Sequence, residues 1–156
     1  MMIVLYPMIV LIFFAGVTPF LSRVFRSLRI RNAESIWATL GFALALLASF
    51  RLIGPVTRNG VVVFMPYPNA KLPIAGFFAV DWLGLFASII FIMIGLFASI
   101  HSIDYMSHDT GLASYYALLL LMVAGMVGLA YAGDFITFYV FWELMSIASY
   151  CLVGFR

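Results

Sequence analysis

Long apolar stretches alternate with short polar segments along this 156-residue chain. The apolar stretches cover residues 3–21, 35–51, 78–100, 112–132 and 135–155. Most are long enough for a helix that crosses a bilayer. The second is short, and it reaches a full span if the Arg51 side chain extends to the membrane interface. The pattern predicts five transmembrane helices in a single transmembrane domain over residues 1–156.

Residues 54–76 have a different composition, with four prolines and the pair Asn59-Gly60 ahead of the run Val61-Val62-Val63. Asn-Gly next to β-branched residues is typical of a β-hairpin. The segment therefore predicts a short hairpin outside the lipid, between the second and third helices. The expected fold class is all-α integral membrane with this one extracytoplasmic hairpin.

Basic residues indicate the orientation, because cytoplasmic loops hold an excess of Lys and Arg. Four of the eight basic residues follow the first span: Arg23, Arg26, Arg29 and Arg31. With that loop in the cytoplasm, Arg156 is also inside, and the three on the outside are Arg51, Arg58 and Lys71. The arginine distribution predicts a multi-pass protein of the cell membrane with its N-terminus outside and its C-terminus in the cytoplasm.

Composition agrees with this class and excludes others. Hydrophobic residues make up 66% of the chain and charged residues 9%, with a mean hydropathy of +1.18, which a soluble globular protein cannot have. The net charge of +2 is too small for a nucleic-acid surface. Cys151 is the one cysteine, so no disulfide forms within the chain. His101 and His108 lie at or beyond a helix end, so we expect no haem, other cofactor or metal in this chain.

Glu143 is the one acidic residue among the 21 residues 135–155. As the ninth of them it lies deep in a helix about 31 Å long, where an ionisable group costs about 3 kcal/mol. Helical periodicity places Tyr139, Ser146 and Tyr150 on the same stripe, and hydroxyl groups there suit a proton or ion path. A protonated Glu143 that only packs against a neighbouring helix is the alternative. No Lys or Arg lies inside a predicted span, so any cationic partner of Glu143 comes from elsewhere.

Four other polar residues are weaker candidates for a functional site. Asp81 and Asp134 each precede or open a predicted helix, where a capping role is the simpler interpretation. His101 and Asp104 belong with His108 and Asp109 to the loop between the third and fourth spans. That group could form a proton-entry or metal site, but a solvated loop explains it more simply.

The run from Asp134 to Tyr150, with its core Phe141-Trp142-Glu143-Leu144-Met145, resembles the fifth-helix signature of antiporter-like proton-pumping subunits. This family includes membrane-arm subunits of complex I, their counterparts in membrane-bound hydrogenases, and the Mrp sodium/proton antiporters. The blocks 81–86, 103–106 and 115–120 are also similar to the family pattern. Trp82 and Gly84 depart from it, because the family has Gly and Ser there.

The resemblance implies that Glu143 belongs to a Glu–Lys pair, with the lysine on the seventh of about fourteen helices. Five helices cannot complete that channel, so we expect the N-terminal portion of a split subunit in a multisubunit complex that moves H⁺ or Na⁺. The expected partners are the lipid bilayer and other membrane subunits, one of which supplies the lysine. No chemistry of its own is expected; any redox cofactors of such an oxidoreductase or Mrp-type complex lie on partner subunits. A non-pumping structural or assembly subunit is the alternative.

Overall fold

The protein is described here by a computed structural model that covers residues 2–27, 33–65, 76–105 and 111–155. A 3₁₀ turn, Met2–Leu5, precedes five α-helices. These are α1 (Tyr6–Ser27), α2 (Ala33–Asn59), α3 (Trp82–Tyr105), α4 (Leu112–Ala130) and α5 (Phe135–Val153). All five are long and apolar enough to cross a membrane. The prediction of an all-α membrane protein with five spans is therefore confirmed.

Helix α4 is the centre of the bundle, since it packs against α1, α2, α3 and α5. Helices α1 to α4 enclose an apolar core whose middle layer includes the buried residues Phe42, Ile92 and Val123. Gly95 of α3 faces this layer, and a Cβ atom there would lie 2.6 Å from the Phe42 ring. A residue without a side chain therefore lets α2, α3 and α4 approach one another closely.

The predicted hairpin is present as the antiparallel strands β1 (Val62–Phe64) and β2 (Phe78–Val80). However, Asn59-Gly60 does not form its turn. Asn59 is the last residue of α2, and Gly60 follows it with a φ of 73° and donates its N–H to the Val56 carbonyl at 2.8 Å. Glycine in this left-handed conformation is a common helix terminator, so the same dipeptide ends α2 here.

Helix α2 corrects the predicted second span, residues 35–51, because it continues eight residues beyond Arg51 to Asn59. Its 27 residues make a helix of about 40 Å, longer than the roughly 30 Å hydrocarbon core. Arg51 and Arg58 are both exposed on it. The apolar run ends at its first charged residue, Arg51, whereas the backbone hydrogen bonds of the helix continue until Gly60 ends them.

The other helix boundaries differ from the predicted spans by smaller amounts. Helix α1 continues to Ser27, and α4 and α5 end two residues before the predicted limits. Helix α3 begins at Trp82 because residues 78–80 pair as strand β2, and it ends at Tyr105. The predictions that involve His108, Asp109, Lys71 and Arg156 lie outside the described residues.

Candidate functional site

Helix α5, which holds Glu143, begins at Phe135, and Asp134 is its N-cap residue. The Asp134 Oδ1 atom accepts hydrogen bonds from the N–H groups of Ile136 at 2.9 Å and Thr137 at 2.8 Å, which caps the helix. Its Oδ2 atom accepts from the Thr137 hydroxyl at 2.7 Å and from the Phe77 N–H at 2.6 Å. Desolvation acts to raise the pKa of Asp134, but these hydrogen bonds outweigh it and hold the pKa below its usual value. Asp134 is thus an ionised cap that fixes where α5 starts.

Two glycines of α4 set how α5 packs. A Cβ atom at Gly125 would lie 2.9 Å from the backbone nitrogen of Met145, and one at Gly128 would overlap the Phe141 ring. The two helices therefore approach closely along the stripe of α5 that contains Phe141, Met145 and the buried Ala148. This contact fixes the rotation of α5 about its own axis.

Glu143 consequently points away from the bundle, because it is about 200° around the helix from Phe141. Its side chain is exposed, Tyr139 is 56% exposed and Tyr150 is 80% exposed, while Ser146 is half-buried. Only 11% of the apolar, membrane-spanning part of α5 is buried inside the structure. The four residues of the predicted stripe do share one face, but the prediction of a buried Glu143 is not met by the described helices of this chain.

Tyr139 is the member of the stripe whose hydroxyl group interacts with the Glu143 carboxyl, one helical turn away. Ser146 contributes its carbonyl to the Ser149 hydroxyl at 3.1 Å. Among the described contacts, neither Ser146 nor Tyr150 is hydrogen-bonded to Glu143. The stripe therefore provides one direct partner for the carboxyl and two further hydroxyl groups on its face.

Within the described residues, Glu143 forms no ion pair. The prediction that no basic residue lies inside a span needs correction, since Arg51 lies within α2 and Arg23 within α1. Both side chains are exposed, and α2 and α5 are not neighbours in the bundle. Neither arginine therefore pairs with Glu143, and the described helices provide no cation for its carboxyl.

Comparison with known sequences shows the family of this chain. Residues 68–116 match the family model described as the N-terminus of chain 5 of NADH-ubiquinone oxidoreductase, complex I. NAD(P)H-quinone oxidoreductase subunit 5 of Huperzia lucidula chloroplasts is 32% identical over 131 residues, which is 81% of this chain. The chain belongs to the antiporter-like subunits of the complex I family.

Other relatives match shorter parts of the chain. The chloroplast subunit 5 of Adiantum capillus-veneris is 44% identical over 78 residues, or 50% of this chain. Chain 5 of the NAD(P)H-quinone oxidoreductase from the cyanobacterium Picosynechococcus is 36% identical, also over 78 residues. The chain spans 18% of the Huperzia relative's length, 11% of the Adiantum relative's and 12% of the cyanobacterial relative's.

The weaker candidates take structural positions in this antiporter-like segment. Asp81 precedes α3 and accepts a hydrogen bond from the Gly84 N–H at 2.7 Å, so it caps that helix as Asp134 caps α5. His101 and Asp104 lie within the last two turns of α3, and not beyond its end as predicted. Both are exposed, and α3 does not pack against α5 in the bundle. The structure does not bring these residues together with Glu143.

Sequence analysis missed two groups of hydroxyl side chains in the bundle core. Tyr131 at the end of α4 shares a 2.7 Å hydrogen bond with Ser88 of α3 and also contacts Ser49 of α2. Near the other end of the bundle, the Ser102 hydroxyl donates to the Tyr116 hydroxyl at 3.2 Å. Single Ser or Tyr residues in apolar runs give no sequence signal for such pairing. No buried side-chain N or O atom of the described residues lacks a partner, so these groups stabilise the helix contacts.

Proposed function

We propose that this chain is the N-terminal portion of a split antiporter-like subunit, in a membrane complex that translocates H⁺ or Na⁺, and that Glu143 binds and releases the ion. The observation that supports this proposal is the position of Glu143. It is the ninth residue of an apolar helix, on the face that the described helices leave uncovered, and the Tyr139 hydroxyl lies one helical turn away.

The uncovered face of α5 is the reason to expect a partner subunit that covers Glu143. A carboxyl exposed to lipid at this depth costs about 3 kcal/mol, whereas a partner helix with a lysine offsets that cost through an ion pair. In this proposal the helices that complete the channel, and the lysine, lie on another subunit. The names of the relatives support a quinone-reducing complex as the setting, with its redox cofactors on other subunits. An Mrp-type antiporter remains the second setting. In either, the arginine-rich loop faces the cytoplasm and the N-terminus lies outside.

The test of the proposal is the variant Glu143→Gln in membrane vesicles that contain the assembled complex. Ion movement is measured with a pH-sensitive dye and with radioactive Na⁺, and each rate is divided by the amount of complex. We expect translocation per complex to fall at least tenfold while the complex still assembles. The matched control is Glu34→Gln, since Glu34 lies in the first turn of α2 and not on α5. Undiminished translocation of both ions in Glu143→Gln would refute an ion-binding role.

The same vesicle assay distinguishes this proposal from the alternative, in which the chain is a structural subunit that does not pump. A purely structural α5 predicts the opposite result for Glu143→Gln: less assembled complex, with unchanged translocation per complex. The large exposed apolar side chains of α5, among them Phe135 and Val153, are the observation that favours this role.

Cross-linking tests whether the partner is a separate subunit. Tyr139→Cys places a thiol one turn from Glu143, and Cys151→Ser removes the exposed native thiol. With a reagent that carries a maleimide for this thiol and a photoreactive benzophenone for any neighbouring C–H bond, we expect a product whose mass is that of this chain plus a second membrane subunit. Phe14→Cys, buried in the core, is the matched control and gives no product. A reaction confined to one polypeptide would contradict a split subunit.

A further inference from the structure

A cleft of about 450 Å³ opens between the N-terminal half of α3 and the C-terminal end of α4, away from Glu143. The hairpin residues Val61 and Ala79 cover one end of the cleft. Helix α3 lines its length with Gly84, Ala87 and Phe91. A volume of this size is in the usual range for a site that binds a small molecule.

Small residues create the cleft. At the upper end α3 and α4 touch, since a Cβ atom at Gly84 would lie 2.6 Å from the Ala130 carbonyl oxygen. Below that contact, Ala87 is too short to reach α4, and Phe91 forms the deep end. From Asp81 to Phe91 the helix rises about 15 Å, half the thickness of a hydrocarbon core. The cleft is thus a narrow apolar slot that runs from the membrane interface towards the midplane.

The surrounding surface of α3 is suited to lipid. Leu83, which lines the cleft, is 75% exposed, and Phe86, which lies next to it on α3, is 63% exposed. Trp82, 51% exposed at the start of the helix, is the kind of residue that lies at the headgroup level. A slot in such a surface is open to acyl chains along its whole length.

One charge lies at the interfacial end, the exposed carboxylate of Asp81. Its Oδ1 atom caps α3 through the Gly84 N–H, and no described Lys or Arg forms an ion pair with it. Its negative charge favours a cationic group at the mouth of the cleft and disfavours an anionic headgroup. A primary ammonium can also donate a charge-assisted hydrogen bond to this carboxylate, which a quaternary ammonium cannot.

We propose that this cleft binds one membrane lipid with a primary-ammonium headgroup. One acyl chain lies along Ala87 and Phe91, and the ammonium group lies against the Asp81 carboxylate. The site is independent of the ion-binding role of Glu143, because it faces the lipid beside α3 and uses no residue of α5.

Native mass spectrometry of the full chain in detergent tests the site. The chain is titrated separately with phosphatidylethanolamine, phosphatidylcholine and phosphatidylglycerol that have identical acyl chains. We expect one phosphatidylethanolamine to bind about fivefold more tightly than either of the others. Asp81→Asn keeps an oxygen that can cap α3 but removes the charge, so we expect the preference over phosphatidylcholine to disappear.

A second variant tests the acyl-chain slot. Ala87→Phe fills the cleft and is expected to weaken binding of all three lipids about tenfold. Ile94→Phe is the matched control, because Ile94 is 61% exposed on α3 and does not line the cleft. Glu34→Gln controls for the loss of a carboxyl elsewhere, and neither control should change lipid binding.

Three results would overturn the proposal. Equal binding of phosphatidylethanolamine and phosphatidylcholine to the unaltered chain would show that the primary ammonium group is not recognised. A preference for phosphatidylethanolamine that survives in Asp81→Asn would show that the Asp81 carboxylate does not recognise it. A photoreactive residue at position 83 of the assembled complex that cross-links to polypeptide and never to lipid shows that a protein partner occupies the cleft.

Discussion

The Asp134 carboxylate accepts a 2.6 Å hydrogen bond from the Phe77 N–H while it caps α5. One side chain therefore links the hairpin to the helix that holds Glu143. Two backbone contacts reinforce this link: Gly133 donates to the Phe77 carbonyl at 2.9 Å, and Ala79 donates to the Tyr131 carbonyl at 2.9 Å. The start of α5 is thus held by the hairpin strands as well as by α4.

Substitution of Asp134 should loosen both the cap and the hairpin. Asp134→Ala removes every hydrogen bond of the carboxylate, and we expect it to lower the free energy of unfolding by about 2 kcal/mol. Asp134→Asn can keep the cap through its carbonyl oxygen but offers an NH₂ group to the Phe77 N–H, so we expect a smaller loss of about 1 kcal/mol. Thermal unfolding of the full chain in detergent measures both values. Equal stability of Asp134→Ala and the unaltered chain would contradict the cap.

The pH dependence of stability should follow from the lowered pKa of Asp134. Because folding favours the ionised form, the contribution of Asp134 is fully present above the unfolded-state pKa of about 3.9. It is lost as pH falls from there through the lower pKa of the folded state. We expect the unfolding temperatures of the unaltered chain and Asp134→Asn to differ at pH 6 and to converge in strong acid. A difference that stays constant over this range would show that ionisation of Asp134 does not contribute.

The close contact of α4 and α5 should tolerate no side chain at Gly125. In Gly125→Ala the new methyl group meets the backbone of Met145, which cannot rotate away, so we expect a loss of about 1–3 kcal/mol. Gly16→Ala is the matched control, since nothing lies within 4 Å of a Cβ atom there. Unfolding of the two variants in detergent provides the comparison. Because alanine favours a helix by up to about 1 kcal/mol relative to glycine, Gly16→Ala should lose no stability. A loss in Gly16→Ala as large as that in Gly125→Ala would show that the contact with Met145 does not set the effect.

The interaction of the Tyr139 hydroxyl with Glu143 should matter for ion movement. Tyr139→Phe removes the hydroxyl without changing the size of the ring, and a loss of about 1 kcal/mol corresponds to about a fivefold lower translocation rate per complex. Tyr6→Phe is the control, because Tyr6 is 49% exposed and lies on α1, not on the stripe of Glu143. Vesicle assays as for Glu143→Gln measure both. Equal rates in the two variants would argue against a role for the Tyr139 hydroxyl.

Local sequence signals predicted much of the fold, but not its helix ends. The five apolar runs predicted five helices, and the β-branched residues near Val62 predicted a strand where β1 lies. The same signals misplaced the end of α2, because a charged residue such as Arg51 ends an apolar run without ending a helix. Gly60 was assigned to a hairpin turn, since a left-handed glycine serves a turn and a helix terminus equally well.

The candidate site was predictable only in part, for a related reason. Helical periodicity places Tyr139, Glu143, Ser146 and Tyr150 on one stripe, and the structure keeps them on one face. Periodicity does not say which way that face points. The pairing of Tyr131 with Ser88 was also invisible, because it joins residues 43 apart in the chain.

The sequence by itself determined that this chain lies in a membrane, how many helices it has and which residues share the stripe of Glu143. Each of these depends on hydropathy or on the fixed rotation of 100° per residue in an α-helix. Both are properties of residues that are close together in the sequence. Only the tertiary structure decided that the stripe faces away from the bundle. That direction depends on where Gly125 and Gly128 let α5 approach α4, a contact between helices that no single helix contains.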